Sequence, residues 1–236
     1  MILVAAGDSF IWGSELADSP HGGSDGYSLS TYPAFLAKEH HMDYVCAAYP
    51  GSANNAISRM SIAACERIKD SKFLLVSWTY PQRSEFRFSD GWASVNSWHT
   101  NHKEFSEVYF KHAGNTEYYE IYSVLKEIVF LQHYCERNNI PYMFMTADNY
   151  FYQHENYIRS RDNDIDNLYN QINWARWFWF TPGNLADETP APRGFYQWAI
   201  ENKYSMGPEG HPLEAAHQDA AELIKEKFNE MVKEYL

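Results

Sequence analysis

Basic residues are scarce in this chain. Nineteen Lys and Arg stand against 31 Asp and Glu, a net charge of −12 over 236 residues. That balance argues against a nucleic-acid or anionic-membrane partner, since both demand a basic face. Long apolar runs are also missing. None approaches the roughly 18 residues of a membrane span. Only three cysteines occur, Cys46, Cys65 and Cys135, each in an apolar segment and far from the others. With no CxxC pair and no metal-type spacing, free buried thiols in a reducing compartment are expected. His99 with His102, and His40 with His41, lack a third ligand at metal spacing, so no metal is expected. No basic segment precedes the first apolar run as an export signal would require, and the expectation is a cytoplasmic protein. No G-x-x-x-x-G-K loop is present, which argues against a nucleotide binder.

What the chain does have is apolar and aromatic material. Hydrophobic residues make up 45% and charged residues 21%, enough for a packed core and unlike a disordered chain. Aromatics reach 17%, with 18 Tyr and 8 Trp, so some rings are expected on the surface or in a groove. The length suits one α/β domain with insertions.

Apolar runs at 2–6, 43–48, 72–78 and 141–147 read as strands. The run Lys72–Trp78 is nearly unbroken, as in a strand covered on both faces. Helical patterns fall between them: Thr31–His40 with Pro33 in its first turn, Asn54–Lys69, Thr116–Asn138 with Asn139 as a stop, and a last helix within 212–236. This alternation predicts a three-layer α/β fold around a parallel sheet. Residues 11–30 read as a loop too polar for the core. Residues 80–115 and 148–203 break the repeat and read as aromatic-rich insertions over the C-terminal edge of the sheet. Trp174, Trp177 and Trp179 in the second suit either a saccharide groove or the apolar underside of the insertion.

Chemistry-bearing residues lie at the two ends of the chain. Gly7-Asp8-Ser9 follows the first strand directly, so Ser9 is placed at the sheet edge where ligands bind in open parallel sheets. His211-Pro212 precedes the last helix. A serine hydroxyl needs a base to take its proton, and imidazole suits that task. Glu209, two residues before His211, is the candidate for fixing the ring, with a backbone carbonyl as the alternative. Glu214 and His217 form a second Glu-x-x-His, read as a surface pair on one helix face. Asp8 reads as a structural residue of its turn. Arg83 reads as either the partner of an acidic residue or a binder of a substrate carboxylate.

These blocks resemble the SGNH (GDSL-type) hydrolase superfamily. Gly7-Asp8-Ser9 fits the first block, Gly51-Ser52-Ala53-Asn54-Asn55 the glycine block, and Glu209-Gly210-His211-Pro212 the last block with Glu in place of Asp. The third block departs, with Val76-Ser77-Trp78-Thr79 standing where Gly-x-Asn-Asp would be. The Trp78-Thr79 form, with Arg83 and Glu85 following, is similar to GDSL-type proteins carried by tailed phages, which would allow a place in a virion. The resemblance implies a flavodoxin-like sheet and a serine esterase working through an acyl-Ser9 intermediate without a cofactor. Its substrate would be a small-molecule or saccharide ester. Ser9 and Gly51 would supply oxyanion amides, Thr79 or Asn54 the donor that the missing Asn leaves open, and Arg83 and Trp78 would contact substrate. The alternative is an inactive member of the same fold that serves as a binding or virion component.

Overall fold

Four of the apolar runs form one parallel sheet. The structure is a computed structural model and describes residues 1–19, 26–96, 102–112, 116–149, 163–180 and 193–234. Strands β1 (Ile2–Ala6), β2 (Asp43–Cys46), β3 (Lys72–Trp78) and β6 (Tyr142–Thr146) lie in the order β2-β1-β3-β6. β1 pairs with β3 from Ile2↔Lys72 to Ala6↔Val76, and β3 with β6 from Leu74↔Tyr142 to Trp78↔Thr146. This is the α/β fold class that the strand–helix alternation predicts.

Strand parity decides which side chains meet which helices. Leu3, Ala5, Phe73, Leu75, Met143 and Met145 face one core. That core is shared with α2 (Tyr32–Glu39), α7 (Phe195–Glu201) and the long α8 (Glu214–Lys233). Val4, Ala6, Leu74, Val76, Trp78, Tyr142 and Phe144 face the other, under α3 (Asn54–Arg67) and α5 (Glu117–Arg137). Helix α5 starts at Thr116, whose hydroxyl accepts the Tyr119 N–H, and Glu117 and Glu120 in its first turn suit the positive helix end. It stops at Asn138, followed by Asn139 with φ +53°, a left-handed position that Asn tolerates.

Residues 80–115 contain an antiparallel hairpin, β4 (Ser84–Phe88) with β5 (Gly91–Val95), and then α4 (Lys103–His112). The hairpin is held to α3 by paired contacts. Asn55 accepts the Glu85 N–H and donates to the Glu85 carbonyl, while Arg59 grips the Glu85 carboxylate through two bonds of 2.6 and 2.8 Å. In the second irregular stretch lie α6 (Asn163–Tyr169), a 3₁₀ turn at Trp174–Arg176, and α7. Trp174, Trp177 and Trp179 stack on one another, and Trp177 packs against Phe144 of β6. They extend the core beyond the sheet edge. Gly194 lets this stretch touch the sheet's C-terminal end, since a Cβ there would lie 2.5 Å from the Asp148 backbone. His99 lies outside the described residues. No helix among the described residues is long and apolar enough to cross a membrane.

Two expectations need correction. The described parts of the segment, residues 11–19 and 26–30, are not too polar for the core, for Leu16, Ser19 and Ser28 are fully buried. Its polar residues satisfy one another: Ser28 Oγ donates to Asp18, Asp18 also accepts the Leu29 N–H, and Ser19 Oγ donates to the Gly26 carbonyl. His217 is not on the surface either. It is 1% exposed, stacks on Tyr32, and its Nδ1 accepts the Tyr32 N–H. Glu214 meanwhile accepts the Ala17 N–H.

Burial, with nearby His211 adding to it, pushes the His217 pKa down to about 3. The folded state therefore holds this ring neutral, whereas the unfolded chain takes up a proton once pH falls below about 6.5. Its stabilising contribution is complete above that pH. It is lost as pH falls towards 3, at up to about 1.4 kcal/mol per unit. Urea melts at pH 7.5, 6.5 and 5.5 should show stability already falling between the last two, before most carboxylates titrate. His217→Gln should flatten that early decline; an unchanged slope would refute the assignment.

Candidate active site

Strand β1 ends at Ala6, and the chain turns at once into the four-residue helix α1 (Ser9–Trp12). Asp8 caps it by accepting the Phe10 N–H at 3.1 Å, which fixes Ser9 at the first helical position. Asp8 is wholly buried. Its second oxygen accepts the Thr79 hydroxyl at 2.5 Å and Arg83 Nη1 at 3.2 Å. The expected structural role of Asp8 is thus visible as three bonds that join the ends of β1 and β3 to the turn before β4.

Ser9 and His211 are 202 residues apart in sequence and meet in space. Ser9 Oγ lies 2.8 Å from His211 Nε2. The other ring nitrogen, Nδ1, lies 2.6 Å from a carboxylate oxygen, and that oxygen belongs to Glu15, not Glu209. Glu209 contributes its backbone N–H to Glu15 Oε1 at 2.8 Å, and the His211 N–H reaches Oε2 at 3.1 Å. The carboxylate of Glu15 therefore organises the whole 209–211 turn as well as the ring. Burial alone would raise its pKa. The Glu209 N–H, the His211 ring and the His211 N–H outweigh burial and lower it. An ionised Glu15 holds the proton on Nδ1 and leaves Nε2 free to accept from Ser9.

Two backbone features bring Glu15 there. Gly13 closes α1 in the left-handed region at φ +82°, and Glu15 itself sits at φ +69°, uncommon for a residue with a side chain. Opposite, Gly207 leaves the space that the carboxylate fills. A Cβ on Gly207 would lie 2.6 Å from Glu15 Oε2. A carboxylate six residues past the serine in a Ser/Gly-rich segment gives no periodic or motif signal, which is why sequence reasoning passed over it.

The remaining expected site residues divide. Ser9, Gly51 and Arg83 line one cavity of about 610 Å³, together with Phe10, Tyr80, Tyr196, Asn96 and His211. Gly51 has φ +75°, and neither its N–H nor that of Ser9 has a protein acceptor among the described residues. Asn54 is committed elsewhere. Its Oδ1 accepts the Thr79 N–H at 2.9 Å and its Nδ2 donates to the Thr79 carbonyl at 3.0 Å, so it ends β3 by backbone mimicry. The Thr79 hydroxyl is spent on Asp8. Neither is placed to act as an oxyanion donor. Trp78 does not line this cavity: it is 1% exposed, packed edge-on against Phe144 on the face shared with Leu74 and Val76. The tryptophans at 174, 177 and 179 do not line the Ser9 cavity.

No family profile and no curated sequence matches the chain. Solved structures do. A protein described as lipolytic and of the G-D-S-L family, from Desulfitobacterium hafniense DCB-2, has a TM-score of 0.48 at 13% identity, over 95% of this chain and 98% of its own. A psychrotrophic esterase from Pseudoalteromonas sp., inhibited by monoethylphosphonate, has a TM-score of 0.49 at 10% identity, over 99% and 97%. An acetyl xylan esterase from the rumen bacterium Butyrivibrio proteoclasticus has a TM-score of 0.50 at 12% identity, over 98% of this chain and 64% of its own. The last of these shows a shared fold, an α/β architecture around a parallel sheet, in agreement with the fold class that the sequence predicts.

The geometry separates the two glutamates experimentally. A fluorophosphonate that labels Ser9 should react about 10²-fold more slowly with Glu15→Gln, because the ring loses its orienting charge. Glu209→Gln should stay within about twofold, since only its backbone is used and the labelling step needs no proton at that side chain. Equal losses in both variants would overturn the assignment.

Proposed function

We propose that the protein is a serine esterase that hydrolyses an O-acyl ester through an acyl-Ser9 intermediate. The observation that carries this reading is the continuous chain Ser9 Oγ, His211 ring, Glu15 carboxylate, joined at 2.8 and 2.6 Å beside an open cavity. As Ser9 Oγ attacks the ester carbonyl carbon, its proton passes to His211 Nε2. The C=O pair moves onto oxygen, where the unbonded amides of Ser9 and Gly51 stand as donors. Collapse breaks the bond to the alcohol, which leaves with the proton from His211. Water then repeats the sequence and releases the acid. Glu15 stabilises the imidazolium formed in each half.

A saccharide O-acyl ester is the substrate class we favour. Tyr80 and Tyr196 line the cavity, and Trp12 and exposed Tyr49 meet edge-to-face beside Pro50 and Gly51. Aromatic faces of this kind suit sugar C–H groups, and the structurally similar acetyl xylan esterase acts on an acetylated polysaccharide by its name.

p-Nitrophenyl acetate should be turned over by the wild-type protein, and Ser9→Ala and His211→Ala should each remove at least about 10²-fold of that turnover. Gly207→Ala should displace the Glu15 carboxylate and lower kcat at least about tenfold while the fold survives, because the clash meets the end of a side chain and not backbone. A wild-type protein that neither cleaves aryl esters nor takes up a fluorophosphonate would replace this reading with a non-catalytic binding protein of the same fold.

A further inference from the structure

We propose that Arg83 supplies a cationic N–H to the oxyanion, joining the amides of Ser9 and Gly51. The inference rests on the esterase reading and extends it.

The guanidinium is anchored on one side only. Nη1 donates to Asp8 Oδ2 at 3.2 Å, to the Thr79 hydroxyl at 3.1 Å and to the Ser52 carbonyl at 3.4 Å. Asp8 immediately precedes Ser9, and Ser52 immediately follows Gly51. Arg83 therefore bridges the two loops that carry the unbonded amides, and the same contacts fix its position relative to both. Its Cζ lies 4.8 Å from the centre of the Tyr80 ring, another residue of the cavity wall.

The rest of the fork is unused. Among the described residues Nε is buried with no hydrogen-bond partner, and Nη2, which is not a buried unsatisfied atom, donates to no protein acceptor. The buried Nε–H is idle at a cost, and Nη2, on a side chain 13% exposed, is left for an acceptor that the protein does not supply. Within the Ser9 cavity, that acceptor is the negative charge that develops on the carbonyl oxygen during acyl transfer. Neutralising Asp8 needs one side of the guanidinium, and the remaining side is available to the reaction. The two side chains otherwise suited to donate here, Asn54 and Thr79, are consumed by backbone and Asp8. Arg also stays charged at any pH the protein meets, so its donation needs no proton bookkeeping.

Because Arg83 also faces a buried carboxylate, its removal alone risks the fold. The test therefore pairs Asp8→Asn with Arg83→Met, which removes both charges together, and adds Arg83→Lys, which keeps a cation opposite Asp8. Thermal melts report folding, and p-nitrophenyl acetate kinetics and fluorophosphonate labelling report the site. A contact made mainly in the transition state should appear in kcat and spare KM. The double variant should lose about 10²–10³-fold in kcat, with KM changed by less than about threefold. Arg83→Lys should melt like the wild type and lose at least about tenfold in kcat, because an ammonium does not reproduce the planar fork. Labelling should slow in parallel, since the phosphonyl oxygen needs the same donors. Wild-type kcat in either folded variant overturns the role of Arg83 and leaves the esterase reading standing. A wild-type protein with no turnover and no labelling overturns both.

Discussion

The site depends on one buried charge. Asp8 has no exposed surface, and a carboxylate taken out of water must be paired and hydrogen-bonded or it costs several kcal/mol. Every partner it recruits fixes part of the sheet's C-terminal edge. The Phe10 N–H sets α1 and hence Ser9, the Thr79 hydroxyl sets the end of β3, and Arg83 sets the turn into the β4–β5 hairpin. Asn54 clamps the same Thr79 from the start of α3, and Asn55 clamps Glu85. The edge that carries Ser9 is thus a polar network with its apolar support on both faces of the sheet. Networks of this kind hold their members in fixed geometry, and this one holds the turn that carries Ser9.

A second carboxylate, Glu15, performs a different task. It brings the distant 209–211 turn against the first strand by accepting three hydrogen bonds from it. Its left-handed backbone is a local departure from relaxed geometry, and such departures persist where the surroundings over-determine them; Gly207, having no Cβ, leaves room for its carboxylate. Here the surroundings are the Gly13 turn before it and the His211 turn opposite. Ser9 and Glu15 share a stretch of seven residues, and the ring that bridges them, His211, lies 196 residues beyond Glu15.

Much of the fold was legible because it rests on periodicity. The runs 2–6 and 72–78 are strands with the bounds read from their apolar character, and Thr116, Asn138 and Asn139 flank a helix as caps do. The pairing of Ser9 with His211 was legible from position, one after the first strand and one before the last helix. The supporting residues were not, because their roles depend on which of several polar neighbours captures them first. Glu209 sits at the spacing of an orienting acid, yet its backbone is what the turn uses. Asn54 and Thr79 carry suitable donors and spend them on each other and on Asp8. Trp78 was misread for a simpler reason: alternation along β3 puts position 78 with 74 and 76, on the face away from Ser77. The burial of Ser19 and Ser28 was hidden because Gly26 and Asp18 satisfy them from within the same segment.

The displacement of the acid has a physical consequence for assembly. If Glu209 held the ring, the base and its acid would belong to one turn and could form before the chain ends meet. With Glu15 in that role, the C-terminal turn has no acceptor of its own for the Glu209 and His211 N–H groups, and the ring has no partner for Nδ1. All three find a protein partner only when α1 and the loop after it are in place. These groups are exposed or half-buried, so water can serve them in the absence of Glu15, and the three bonds fix where the 209–211 turn lies more than whether it forms. Gly207, whose N–H donates to the His211 carbonyl, closes the turn around the same point. The placing of the His211 ring beside Ser9 and the docking of the 209–211 turn on the segment after α1 therefore depend on the same carboxylate.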